Sequence, residues 1–136
     1  MEISGIGVMI EGPSGSGKTS LVFSLLESAE QKNVPAQLIT DDQALLENHE
    51  GHLIASAPKE IAGKIELFGY GIISIPHKPK TEIDLIVVLE SANKIMRSPG
   101  IQRVERHGIV LPLVEVPARM EVHAQRIVFA ALSDIA

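Results

Sequence analysis

The chain has 136 residues, 45% of them hydrophobic, with 12 basic against 17 acidic side chains and a net charge of −5. That length suits one domain, residues 1–136, and with aromatics at only 3% its core must be built from Ile, Leu, Val and Ala. The absence of cysteine excludes a disulfide framework, a zinc ribbon and a thiol nucleophile. An acidic balance without a basic block or aromatic stacking set argues against a nucleic-acid partner.

In chain order, residues 6–10 form a short apolar, β-prone run, as a buried strand does. Immediately after Glu11 comes Gly12-Pro13-Ser14-Gly15-Ser16-Gly17-Lys18-Thr19, which fits the P-loop pattern G-x-x-x-x-G-K-[ST]. In such a loop successive backbone N–H groups wrap a nucleotide's phosphates. Lys18 reaches the outer phosphates, and the Thr19 hydroxyl is a ligand for Mg²⁺. Residues 19–26 then read as helix, with Leu21, Leu25 and Leu26 on one side. Strand, glycine loop and helix together aim a helix N-terminus at an anion.

Residues 31–35 are a polar break before Pro35, where the helix should end. Residues 36–40 read as a second strand running into Asp41-Asp42. Ligands of open α/β sheets gather at the carboxyl ends of strands, so this pair stands where one carboxylate could serve a metal and the other a proton transfer. Turn formation is the plain alternative for two aspartates.

Residues 44–55 have a hairpin signature around Asn48-His49-Glu50-Gly51, read as a longer loop. Residues 64–68 and 72–75 are two more β-prone runs, interrupted by Gly69-Tyr70-Gly71. A β-rich insert of this kind is foreign to a plain nucleotide kinase and suggests an antiparallel element beside a P-loop core. Residues 83–89 are the strongest buried strand, ending at Glu90, which competes with Asp41 and Asp42 as a Walker B-like acid. Residues 109–117 are apolar with prolines suited to an edge or bend. In the last segment Met120, Ala124, Ile127, Ala131 and Ile135 share a helical face. The five histidines show no metal-ligand spacing; His49 and His52 stand three apart in the hairpin loop and read as solvated. No 18-residue apolar run is present, and the P-loop begins eleven residues in, which leaves little room for a leader. Both point to a cytoplasmic protein with no membrane partner.

Taken together, these stretches resemble the catalytic domain of HPr kinase/phosphorylase, in its short proteobacterial form. The P-loop follows a glycine-interrupted strand, Leu38-Ile39-Thr40 ends in Asp41-Asp42, and Ala57-Pro58 comes next. Ile65-Glu66-Leu67-Phe68-Gly69-Tyr70-Gly71-Ile72-Ile73 is then similar to the family's I-E-hydrophobic-R-G-x-G-I-I signature. The resemblance implies an α/β fold, a P-loop core with a mixed sheet and a β-rich insert, of the HPr kinase and PEP carboxykinase-like type. It also implies an ATP- and Mg²⁺-dependent protein-serine kinase acting on the phosphocarrier HPr. By that resemblance the P-loop and Lys18 hold ATP, while Thr19, Glu66 and Asp41 serve the metal. Asp42 is the catalytic aspartate that takes the serine proton, and Arg106 neutralises the transferring phosphate. The family assembles as hexamers, which implies a homo-oligomer.

The departures are specific. The family's catalytic histidine lies upstream of the P-loop, in a domain outside this chain. Phe68 stands where the signature has arginine. The segment tied to dephosphorylation reads Val116-Pro117-Ala118-Arg119-Met120-Glu121-Val122-His123, keeping only part of its usual pattern. These changes weaken the phosphorylase direction more than the kinase one. They also leave two rivals: an ATP-binding regulatory module with little catalysis, and a small-molecule P-loop kinase. The few arginines, none in an evident lid, count against the latter. No Asn-Lys-x-Asp segment supports a GTPase.

Overall fold

The computed structural model describes residues 1–41 and 43–136. Among them the elements run β1 (Glu2–Ile3), β2 (Ile6–Glu11), α1 (Lys18–Gln31), β3 (Ala36–Gln37), β4 (Leu45–His49), β5 (His52–Ser56), β6 (Lys64–Leu67), β7 (Gly71–Ser74), β8 (Lys80–Glu90), β9 (Gln102–Arg106), β10 (Ile109–Pro117) and α2 (Glu121–Ile135). The main sheet has the order β3-β1-β2-β8-β10-β9, and β5 of the β4–β5 hairpin pairs with the first residues of β8. Strands β2, β8 and β10 are mutually parallel and the outer pairings antiparallel, so the sheet is mixed, as the α/β reading expects. No described helix is long and apolar enough to cross a membrane.

β8 organises both faces. Leu85, Val87 and Leu89 alternate toward a core that also holds Leu21 and Leu25 of α1, and Ala124, Val128, Ala131 and Leu132 of α2. Leu21 and Leu25 are fully buried, each contributing about 1.5–3 kcal/mol. Ile86 points the other way, into a second cluster with Leu53, Ala55 and Leu111. Ile83 joins Ile86 there although the two are three positions apart, an odd spacing that strict alternation forbids. The register shift between Gly7 and Val8 explains it: Gly7 pairs with Ile83 and Val8 with Leu85, leaving Asp84 as a bulge residue. The Asp84 carboxylate accepts the Gly7 N–H at 3.1 Å, and burial raises its pKa. Helices therefore cover one face of the sheet, joined there by Ile65 and Ile73 of β6 and β7, while residues of the β4–β5 and β9–β10 hairpins form the cluster on the other.

Among the described residues three hairpins close with two-residue loops: Ser4-Gly5, Glu50-Gly51 and His107-Gly108. Each has φ near 50 at the first position and near 80 at the second, the type I′ combination that matches strand twist. The loop around residues 48–51 is thus shorter than its composition suggested. β6 and β7 form a separate two-stranded sheet, in which Tyr70 N–H donates to Leu67 O at 2.9 Å with Gly69 at φ 86.

Other expectations need correcting. The strand read over 36–40 pairs with β1 only at Ala36 and Gln37, because β1 is two residues long, and continues as a single parallel bridge from Leu38 to His77. Leu38 and Ile39 are nevertheless buried, and the Leu38 carbonyl accepts Lys78 N–H at 2.8 Å. β10 is no edge strand; it lies between β8 and β9. Pro112 pairs only toward β9, and the ladder to β8 begins at Leu113, where an N–H is again present. On α2 the buried stripe is centred on Ala124, Val128, Ala131 and Leu132, while Met120 stays about half exposed ahead of the helix.

Candidate active site

β2 delivers Glu11 to the carboxyl end of the parallel strands, where the P-loop leaves the sheet. A Cβ on Gly12 would lie 2.6 Å from Ser16 Oγ and 3.0 Å from the Leu89 Cβ, so only glycine lets the loop close against β8. Gly17 caps α1 at φ 95, a left-handed turn that points the first helical N–H groups at the loop's interior. Within the loop Ser16 N–H donates to Pro13 O at 3.1 Å. The Ser16 hydroxyl is buried and has no hydrogen-bond partner among the described residues. A buried hydroxyl left unpaired costs about 1–3 kcal/mol. A phosphate oxygen is the partner that this loop is shaped to supply, so the residues present fit a polyphosphate.

Thr19, on the first turn of α1, donates its hydroxyl hydrogen bond to Asp41, Oγ1 to Oδ1 at 3.1 Å and to Oδ2 at 3.4 Å. Ser14, Gly15, Lys18, Thr19, Asp41 and Glu66 all line one open cleft of about 990 Å³. Glu66 reaches it from β6, so the separate hairpin forms a wall of the cleft. Three expected metal-site residues, distant in sequence, are therefore gathered on one cavity. Among the described residues no three His, Asp or Glu side chains converge as a metal site of their own. A hard divalent cation beside a polyphosphate needs fewer protein ligands, since one or two carboxylates and phosphate oxygens suffice. Thr19 with Asp41 fits that donor set.

Asp42 lies outside the described residues. Glu90 is spent locally: its Oε1 accepts the Ser91 N–H at 2.8 Å. Arg106 does not line the cleft but is held at its root. Met9 and Val104 both pack into the second cluster, so Glu11 and Arg106, two residues further along β2 and β9, share that face. There Arg106 Nη2 donates to Glu11 Oε1 at 2.8 Å and Nε to Oε2 at 3.1 Å, a two-pronged pair that raises the arginine's pKa. Phe68, which stands in place of the signature arginine, is 97% exposed at the β6–β7 tip.

The sequence names Arg119 only as part of the segment tied to dephosphorylation and does not show its contact with the P-loop. Arg119 sits in the link between β10 and α2, anchored where Ala118 N–H donates to Glu90 O at 2.8 Å, and its Nε donates to the Gly15 carbonyl at 3.0 Å. A further contact that sequence spacing could not show is His52 with Glu82. The ring Nδ1 lies 2.7 Å from Oε2 across the β5–β8 pairing, and this raises the histidine's pKa.

Residues 1–135 match the family described as HPr Serine kinase C-terminal domain. Among curated proteins, the HPr kinase/phosphorylase of Levilactobacillus brevis is 30% identical over 131 residues, covering 88% of this chain and 40% of that protein. The Lactococcus lactis subsp. cremoris HPr kinase/phosphorylase is 28% identical over 148 residues, covering 98% and 45%. A Clostridium botulinum HPr kinase/phosphorylase is 37% identical over a shorter 75 residues, covering 55% and 23%. The chain thus spans less than half the length of these relatives. Among solved structures, that of the Hpr(Ser) kinase/phosphatase from Coxiella burnetii superposes with a TM-score of 0.79 at 23% identity, over 96% of this chain and 90% of the other. It shares the fold.

Proposed function

The chain belongs to the HPr serine kinase C-terminal domain family, and from that membership and the site's geometry we propose that it is an ATP-dependent protein-serine kinase acting in the cytoplasm on the phosphocarrier HPr. The observation that carries this reading is the gathering of Lys18, Thr19, Asp41 and Glu66 on one cleft beside a P-loop whose buried Ser16 hydroxyl has no partner among the described residues.

In the proposed reaction the serine oxygen forms a bond to the γ-phosphorus of ATP as the bond to the ADP oxygen breaks, and the serine proton passes to Asp42. The loop amides and Lys18 bind and orient the phosphates. Thr19 with the carboxylates of Asp41 and Glu66 would hold Mg²⁺, which would supply charge neutralisation on the phosphate oxygens. Asp41, already paired with Thr19, orients that hydroxyl. The Glu11–Arg106 pair braces the root of the loop and keeps a cation one residue from Gly12.

The test is a phosphotransfer assay with labelled ATP, Mg²⁺ and purified HPr, comparing wild type with Asp42→Asn. Label on an HPr serine, absent in the variant while ATP binding persists, is the expected result. Absence of label from wild type that binds ATP would favour an ATP-binding regulatory module instead. Loss of ATP binding in Asp42→Asn would move Asp42 from proton acceptor to metal ligand.

A further inference from the structure

The peptide unit joining Gly15 and Ser16 is held from both sides: its N–H donates to Pro13 O at 3.1 Å, and its carbonyl accepts Arg119 Nε at 3.0 Å. The second bond spans 104 residues and ties the phosphate loop to the connection between β10 and α2. Arg119 Nη2 also lies 3.5 Å from where a Cβ on Gly15 would stand, and the Arg119 backbone passes 3.7 Å from the same position on Gly17. The guanidinium is therefore packed along the loop's flank. Arg119 itself holds φ 60, a left-handed conformation that costs a non-glycine residue and persists where surrounding contacts over-determine it.

We propose that Arg119 is the positioning residue of the phosphate loop: it fixes the Gly15–Ser16 peptide before nucleotide arrives and adds a cation at the loop's flank. The inference rests on the reading that this loop binds the phosphates of a nucleotide. Two features single out this arginine. Arg106 is committed to Glu11, and the signature arginine is replaced by the exposed Phe68. Of these three positions, the guanidinium hydrogen-bonded to the loop itself is that of Arg119. A guanidinium is suited to the task, since its Nε–H grips the carbonyl while the four N–H groups on Nη1 and Nη2 remain for other acceptors. Holding the loop in its binding conformation raises affinity by removing the ordering cost that the ligand would otherwise meet.

The left-handed backbone supplies a clean test. Arg119→Gly relieves the φ strain while deleting the guanidinium, so the ligand-free variant should melt at or slightly above the wild-type temperature. Its affinity for Mg²⁺-ATP, measured calorimetrically on the full chain, should fall about 10- to 100-fold, as for loss of a charge-assisted hydrogen bond. Inorganic tripolyphosphate, used as a second probe, should show the same loss, which places the effect at the phosphates. Arg119→Lys should recover part of it, because an ammonium keeps the charge and a donor but not the fork. Undiminished binding of both probes by Arg119→Gly, within about 2-fold of wild type, would overturn the inference alone. So would a loss confined to ATP. Wild type that binds neither probe would overturn the nucleotide reading and this inference with it.

Discussion

Arg106 and Glu11 form a bidentate pair across the curled face of the sheet, Nη2 to Oε1 at 2.8 Å and Nε to Oε2 at 3.1 Å. Both side chains are about a third exposed, at 32% and 29%, so solvent screens the pair and its worth is modest, about 0.5–1.5 kcal/mol. Arg106→Met and Glu11→Gln should each destabilise by about that amount. The double variant should lose clearly less than the sum, since one interaction is removed twice. Urea unfolding of the four proteins measures the coupling. Additive losses would mean that the two side chains act independently.

Gly7 is the tightest approach in the β2–β8 ladder. A Cβ there would lie 1.8 Å from the Glu82 carbonyl oxygen and 2.7 Å from its carbon, both backbone atoms that cannot swing aside. Gly7→Ala must therefore break the bulge or push the central strands apart, and should cost about 2–4 kcal/mol or prevent folding. Gly5→Ala makes a useful contrast, because nothing stands within 4 Å of a Cβ there and only its φ of 79 is offended. Thermal melting should rank Gly7→Ala well below Gly5→Ala.

The parts of this site that were legible in the sequence are those made by local chemistry. The P-loop lies within eight consecutive residues, and its flanking strand and helix are apolar on the side that buries. Asp41 was legible by topology, since a chain leaving a buried run near the carboxyl end of β2 must arrive beside the P-loop. What escaped depends on how far the sheet curls. Nothing in the spacing of Glu11 and Arg106, 95 residues apart, shows that β9 bends over until they meet. Arg119 escaped for a related reason: its contact requires the exit from β10 to lie against Gly15 and Gly17. The His107-Gly108 turn could have been read, because an X-Gly pair between β-prone runs is a hairpin signal in its own right. It identifies Arg106 and Ile109 as paired neighbours.

Ser16 sets stability against binding. Its hydroxyl is buried without a partner among the described residues, a state that costs the ligand-free protein about 1–3 kcal/mol. Ser16→Ala removes the orphaned group and leaves only a small void beside Gly12. The ligand-free variant should be more stable than wild type by about 1 kcal/mol, while its affinity for ATP falls about 10-fold. Melting curves with and without Mg²⁺-ATP read both effects, and the stabilising shift produced by nucleotide should shrink. A variant less stable than wild type would mean that the hydroxyl is already satisfied in solution.

Glu2 gives the fold a defined response to acid. Thr81 Oγ1 donates to its Oε2 at 2.6 Å, and Lys78 Nζ donates to Oε2 at 2.9 Å and to Oε1 at 3.1 Å. These contacts pin the short strand β1 to the start of β8. The Thr81 hydrogen bond and then Lys78 hold the Glu2 carboxyl below its ordinary pKa of 4.5. A depressed carboxylate pKa stabilises the folded state fully above the ordinary value, and that contribution is lost as pH falls through the depressed one. Glu2→Gln should therefore lower stability by about 1 kcal/mol near neutrality, discounted for the exposure of Lys78. The gap between wild type and variant should close as pH drops below about 4.5. The exposed His52–Glu82 pair behaves oppositely. Its raised histidine pKa favours the fold below the ordinary value of 6.5 and ceases to do so as pH rises through the raised one. Because His52 is intact in both proteins, its titration cancels in the difference. Denaturant unfolding of wild type and Glu2→Gln from pH 3 to pH 8 isolates the Glu2 contribution, and a gap that stays constant across that range would refute the assignment.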